Sequence, residues 1–203
     1  MLSARDLSCA RGELPLFESL SFDLQAGDIL QVHGANGSGK TTLLRVLCGL
    51  GEPLSGTIYW QGEPISQAGE VYRAQLAYVG HSPGVKLELS PLENLRVASA
   101  LSAGRPLEDP EGLLENLGLY GLEDLPARNL SAGQRRRLAL ARLVCSDARL
   151  WILDEPFTAL DVRGVELIAE LLRLHARDGG CAILTSHQRF EIDGCDVREL
   201  HLT

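Results

Sequence analysis

The stretch that most restricts the fold is DILQVHGANGSGKTTLLRVLCGL, residues 28–50. An apolar run ends at a glycine, a glycine-rich loop follows, and then apolar residues recur at helical spacing. That order predicts a buried strand, a loop and a helix. The loop, Gly34 to Thr41, matches G-x-x-x-x-G-K-[ST]. Glycines at 34, 37 and 39 let backbone N–H groups turn inward around phosphate oxygens. Lys40 is placed to neutralise those phosphates, and the Thr41 hydroxyl is a candidate Mg²⁺ ligand. The plain alternative, a glycine-rich turn with an incidental lysine, would not need a strand before it and a helix after it.

The rest of the chain continues the theme. GTIYWQG (56–62) and QLAYVG (75–80) predict short strands bounded by glycine. RLWILDE (149–155) and CAILTSH (181–187) predict strands without polar alternation. RGVELIAELLRLHARDGG (163–180) predicts an amphipathic helix closed by two glycines. Unalternating strands separated by helices indicate an α/β fold with a mainly parallel sheet. Between about Ser90 and Cys145 the pattern is helical, punctuated by Pro106, Pro110 and Pro126, and reads as an insertion. At 203 residues the chain suits one domain, with room for a subdomain.

Charge and cysteines narrow the classes further. A net charge of −8 argues against a nucleic-acid partner held by bulk charge. Cys9, Cys48, Cys145, Cys181 and Cys195 are odd in number and never paired as C-x-x-C, so a reduced compartment is expected, without a disulfide framework or cysteine metal site. Arg5, Asp6 and Arg11 make the N-terminus unlike a signal peptide. Charges interrupt every apolar run before it reaches spanning length, so work at a membrane would need a partner to hold the chain there.

Three further groups carry chemistry. In LWILDE, Asp154 and Glu155 stand at the end of a buried strand, where the first could hold Mg²⁺ through water and the second could polarise an attacking water. His187, in ILTSH, ends another such strand, and open α/β sheets bind ligands at the carboxyl ends of their strands. In NLSAGQRRRLALARLV (129–144), Ser131 is a good N-cap and the first helical turn favours an anion. The consecutive Arg135, Arg136 and Arg137 read as a solvated face or local charge balance rather than as direct phosphate ligands.

Taken in order, GANGSGKTT, LSAGQ, WILDEP, TALD and LTSH resemble the nucleotide-binding subunit of an ATP-binding cassette transporter along essentially the whole chain. The resemblance implies a P-loop NTPase core of the RecA type, spanning about 1–84 and 146–203. It adds an N-terminal antiparallel β subdomain and a helical subdomain over about 85–145 that carries LSAGQ. It implies ATP and Mg²⁺ as ligands, with Gly34, Ala35, Asn36, Gly37, Ser38, Gly39, Lys40, Thr41 and Thr42 around the phosphates. Thr41 and Asp154 would lie on the metal side, Glu155 would be the general base, and His187 would sense the γ-phosphate. Two copies would pack head to tail, so that Ser131, Gly133 and Gln134 of one close over the γ-phosphate held by Lys40 of the other. Asp161 would lie in the loop crossing that interface. No nucleic acid is implied.

Two departures from the wider family narrow the resemblance. After the strand ending near Val79, most relatives carry a glutamine that reaches the Mg²⁺ and attacking water; here the position is His81, within AYVGHSPGVKLELSPLENL (77–95). That run resembles the branch of the family serving cytochrome c maturation, as does WILDEPFTALDVRGV. Where many relatives place an aromatic residue to stack on adenine, this chain has Arg11, whose guanidinium plane can also stack on a base. The branch implies integral membrane subunits of the cytochrome c maturation transporter as partners, a peripheral site on the cytoplasmic face of the bacterial inner membrane, and haem, or a haem-loaded chaperone, as cargo. The histidines at 33, 81, 175, 187 and 201 form no evident haem-ligand cluster. A transporter ATPase for another substrate would share every motif except the His81 stretch. A chromosome-type ATPase would separate the phosphate loop from LSAGQ by a long coiled coil, whereas Ser131 follows Lys40 by 91 residues. A translation-associated relative would carry two cassettes, and a small-molecule kinase would lack LSAGQ.

Overall fold

The computed structural model describes residues 1–102, 107–186, 190–192 and 194–202. Two sheets organise it. The first is antiparallel: β1 (Leu2–Arg11) pairs with β2 (Leu14–Leu24) on one side and with β4 (Ser55–Trp60) on the other, and β5 (Glu63–Pro64) extends the far edge. The second is parallel, with β6 (Leu76–Val79), β7 (Leu150–Leu153), β8 (Cys181–Thr185), β3 (Ile29–His33) and β9 (Val197–His201) side by side in that order. Burial explains the composition of the two sheets. β7 and β8 are buried at every residue, so each face meets apolar packing and no alternation is needed. β1 alternates buried and more exposed positions, as a one-sided sheet does. Gly56 sits at the crossing of β1 and β4, where a Cβ would lie 2.4 Å from the Asp6 carbonyl oxygen and φ is +88°, so no side chain fits.

Helix α1 (Lys40–Leu47) lies between the sheets. Its Leu43, Leu44 and Leu47 share a core with Leu7, Phe17 and Leu24 of the antiparallel sheet and with Leu30, Ile152 and Ile183 of the parallel one. Truncating such a buried leucine to alanine costs about 2–5 kcal/mol. Helix α2 (Ile65–Ala74), which no clear periodicity announces, follows β5 and is kinked at Gly69, whose φ is +47°. On the opposite face of the parallel sheet, α6 (Val162–Arg177) packs Ile168 and Leu172 against Ile29, Leu153 and Leu184.

The helical segment comprises α3 (Pro91–Leu101), α4 (Pro110–Asn116), a short turn of 3-10 helix at Ala127–Asn129 and α5 (Ala132–Val144). It has its own core of Leu92, Leu95, Leu114, Leu119, Leu138 and Ala141. One face of α5 belongs to that core, while Ala139, Leu140 and Leu143 belong to the core beneath α6. Helix α5 is therefore the beam that joins the helical segment to the parallel sheet. Pro106 lies outside the described residues.

Candidate active site at the strand ends

The phosphate loop leaves the carboxyl end of β3 and enters α1. Ala35, Asn36 and Gly37 form an exposed rim, while Gly39 and Lys40 are buried. Gly39 caps α1 in the left-handed region, with φ +98°, and a Cβ there would come within 3.0 Å of Leu16 and 3.1 Å of the Phe17 ring. A Cβ at Gly34 would come within 2.3 Å of Ser38 Oγ and 3.2 Å of the Leu202 carbonyl oxygen. The Lys40 ammonium spans the loop, donating to the carbonyl oxygens of Gly34 at 2.7 Å and Ala35 at 3.1 Å. Ser38 Oγ is buried without a hydrogen-bond partner among the described residues. Thr42 follows in the first turn, half-buried.

β7 carries the carboxylates to the same end of the sheet. Asp154 is 3% exposed, and its N–H donates to the Val79 carbonyl at 2.8 Å, which registers β7 on β6. One carboxylate oxygen accepts from Thr41 Oγ1 at 2.9 Å and the other from Thr185 Oγ1 at 2.8 Å. Thr185 in turn accepts the Glu155 N–H at 2.8 Å. Burial and then the Asp154 charge push the nearby Tyr78 hydroxyl above its ordinary pKa. Glu155 turns sharply out of the strand with φ +50°, a conformation that non-glycine residues rarely adopt and that clusters at functional sites. Its carboxylate accepts from Thr158 Oγ1 at 3.2 Å. Thr41 and Asp154, hard oxygen donors in contact, fit one side of a Mg²⁺ site that completes its shell with water and substrate oxygens.

The signature helix behaves differently. Ser131 caps α5 through a capping box: Ser131 Oγ accepts from the Gln134 N–H at 3.2 Å, and Gln134 Oε1 accepts from the Ser131 N–H at 2.8 Å. The first turn is exposed at Ser131 and Ala132. Gly133 has a local reason to be glycine, because a Cβ would meet the Ala159 carbonyl oxygen at 2.6 Å. Asp161 caps α6, accepting from the Gly164 N–H at 2.8 Å, and is exposed. His81 is exposed just beyond β6, on a cavity of about 230 Å³ shared with Pro83, Ala132, Arg135, Arg136, Thr158 and Ala159. Arg11 is exposed at the end of β1, paired with Leu14 across the hairpin. His187 lies outside the described residues.

The expectation of a solvated arginine face is corrected. None of Arg135, Arg136 and Arg137 is exposed, and Arg136 is only 4% accessible. Arg135 donates to the Leu130 carbonyl and Arg137 to the Leu117 carbonyl. Arg136 reaches under the acidic pair, donating to the backbone of Asp154, Glu155 and Pro156 and to Gly80 and His81. Helical geometry brings this about: α5 is buried on two sides, so a long guanidinium stem on it runs through packed surroundings to reach carbonyls at strand ends. Thr185 is a second residue that the sequence did not single out, although it stood inside the quoted ILTSH. A threonine at the end of a buried strand gives no signal until its partner is placed.

Known proteins agree with this architecture. The sequence model of the family described as ABC transporter matches residues 17–158. A cytochrome c biogenesis ATP-binding export protein, CcmA, of Methylococcus capsulatus is 51% identical, the match covering 100% of this chain and 98% of that protein. The protein of the same description from Escherichia coli K12 is 47% identical over 100% of this chain and 97% of its own. Among solved structures, a putative ABC transporter ATP-binding protein from Pyrococcus furiosus superimposes with a TM-score of 0.85 at 26% identity, covering 99% of this chain and 96% of that one. Similarity along the full length, to the family's sequences and to its fold, means that the chain belongs to the ABC transporter family, as an ATP-hydrolysing subunit.

Proposed function

We propose that two copies of this chain hydrolyse MgATP head to tail on integral membrane subunits, at the cytoplasmic face of a bacterial inner membrane, and power the export step of cytochrome c maturation, with haem or a haem-loaded chaperone as cargo. The relatives' cytochrome c biogenesis role supports the pathway, together with the histidine at position 81. No helix among the described residues is long and apolar enough to cross a membrane, so on this reading the membrane partners anchor it.

In this mechanism, backbone N–H groups from Gly34 to Thr42 hold the β- and γ-phosphates, and Lys40 moves from its loop carbonyls onto them. Thr41, and Asp154 through water, would hold Mg²⁺, which would supply charge neutralisation at the phosphate oxygens. Glu155 accepts the proton of the attacking water. Thr185 fixes the Asp154 carboxylate by its hydrogen bond and holds the Glu155 backbone in its turn. By the family resemblance, His187 would sense the γ-phosphate, His81 would take the place of the family's glutamine near the attacking water, and Arg11 would stack on adenine.

The observation that carries the dimer is the exposed, capped N-terminus of α5. Ser131 Oγ accepts a hydrogen bond within its own helix, and its hydroxyl proton can still be donated to an anion brought by a second copy. Glu155→Gln should retain ATP binding and lose hydrolysis, so light scattering with MgATP should show a stable dimer. Ser131→Arg should abolish hydrolysis in the intact membrane complex. Hydrolysis by that variant at the wild-type rate overturns the head-to-tail reading.

A further inference from the structure

Arg136 is the most heavily engaged buried charge that the proposed chemistry leaves without a part. Its guanidinium donates to five backbone carbonyls among the described residues: Gly80 at 2.8 Å, His81 at 3.5 Å, Glu155 at 2.6 Å, Pro156 at 3.4 Å, and Asp154. Those acceptors belong to two loops, one leaving β6 and one leaving β7. Arg136 itself belongs to α5, five residues beyond Ser131. No carboxylate oxygen is among these acceptors, so the side chain acts as a planar fork that fixes backbone.

The peptide it holds is the strained one. Glu155 has φ +50°, and a non-glycine residue keeps such a conformation only where its surroundings over-determine it. Its supports among the described residues include Thr185 Oγ1 on the Glu155 N–H, Arg136 on the carbonyls of Asp154 and Glu155, and the Thr158 N–H on the Glu155 carbonyl at 3.2 Å; of these, only Arg136 also reaches the loop after β6. Burial lowers the Arg136 pKa, and the nearby charges of Asp154 and Glu155 act in the opposite direction.

We infer that Arg136 is a positioning residue for hydrolysis: it holds Glu155 in its turned-out conformation and ties the His81 loop and the signature helix to it. The inference rests on Glu155 being the general base. Because α5 begins at the segment that would meet the partner's nucleotide, Arg136 also makes the alignment of a chain's own base depend on the seating of its signature helix.

The test uses steady-state ATPase of the full chain, alone and with its membrane partners, for Arg136→Gln, for Arg136→Lys, and for each combined with Glu155→Gln. Arg136→Lys keeps the charge but cannot fork to both loops, and it covers the case where the glutamine variant does not fold. The expected result is a fall in kcat of about tenfold or more, because a displaced general base forfeits part of its contribution. KM for ATP should stay within about threefold, since residues 34–41 are untouched. In the Glu155→Gln background the same Arg136 substitutions should change residual kcat by less than about twofold, because the group they position is already gone. A merely structural Arg136 would instead raise KM along with lowering kcat, and its loss would repeat in full on top of Glu155→Gln; either result overturns the inference alone. Wild-type kcat in Glu155→Gln itself overturns the base assignment and this inference with it.

Discussion

Thr185→Val tests the geometry of the strand ends most directly. The substitution keeps the shape of a completely buried side chain and removes one hydroxyl. That hydroxyl donates to Asp154 and accepts from the Glu155 N–H, both at 2.8 Å. A hydrogen bond to a charged group contributes about 1.5–3 kcal/mol, and a buried N–H left without an acceptor costs about 1–3 kcal/mol. The two share one atom and do not add fully, so a loss of about 3–4 kcal/mol is expected. For a chain of this size roughly 2–4 °C of melting temperature follows each kcal/mol, which gives a fall of about 10 °C. Differential scanning calorimetry of wild type, Thr185→Val and Thr185→Ser measures it. Thr185→Ser should recover most of the loss, because the serine hydroxyl can make both bonds. ATPase activity should fall in Thr185→Val beyond what partial unfolding explains, since Asp154 and the Glu155 turn both lose a support. A melting temperature within about 2 °C of wild type would refute the reasoning, because such a shift leaves no room for two buried hydrogen bonds.

Other outcomes follow from the same geometry. Lys40→Ala should abolish hydrolysis while the circular dichroism spectrum is retained, since the Lys40 ammonium bonds only to its own loop among the described residues. Burial holds the His175 imidazole below its ordinary pKa, where it stacks on Trp151 at 3.8 Å. The folded value lies under the unfolded value of about 6.5, so this contribution to stability is present above pH ~6.5 and is lost as the pH falls toward the folded pKa. Chemical denaturation from pH 7.5 to 5 should show that decline, and His175→Phe, which keeps the stack, should flatten it. On the reading that His81 substitutes for the family's glutamine, His81→Gln should keep much of the basal ATPase and His81→Ala should lose more, chiefly the stimulation by membrane partners. Wild-type rates for His81→Ala from pH 6 to 8, with and without those partners, would exclude a role for the side chain.

The elements legible in the sequence are those whose cause is local. The loop at 34–41 was readable because its glycines answer a backbone need at each position: φ +88° at Gly37, φ +98° at Gly39 and a close approach at Gly34. The strands around Ile152 and Ile183 were readable because burial on both faces removes polar alternation within a few residues. Helix α5 announced its start through Ser131 and Gln134, which bond to each other three residues apart. Tertiary structure decided what depends on distant chain. Thr41 meets Asp154 across 113 residues, and Thr185 meets it across 31. β9 carries the exposed Arg198 and Glu199 in a strand with little apolar pattern, and it exists because β3 offers a parallel edge. Arg136 shows the limit most sharply. Three adjacent arginines look alike in sequence, and only the packing of α5 on two cores sends one of them beneath the acidic pair. Side-chain identity fixes local backbone and hydrogen-bonding capacity, but the partner that uses that capacity is set by which surfaces are driven together when the cores close.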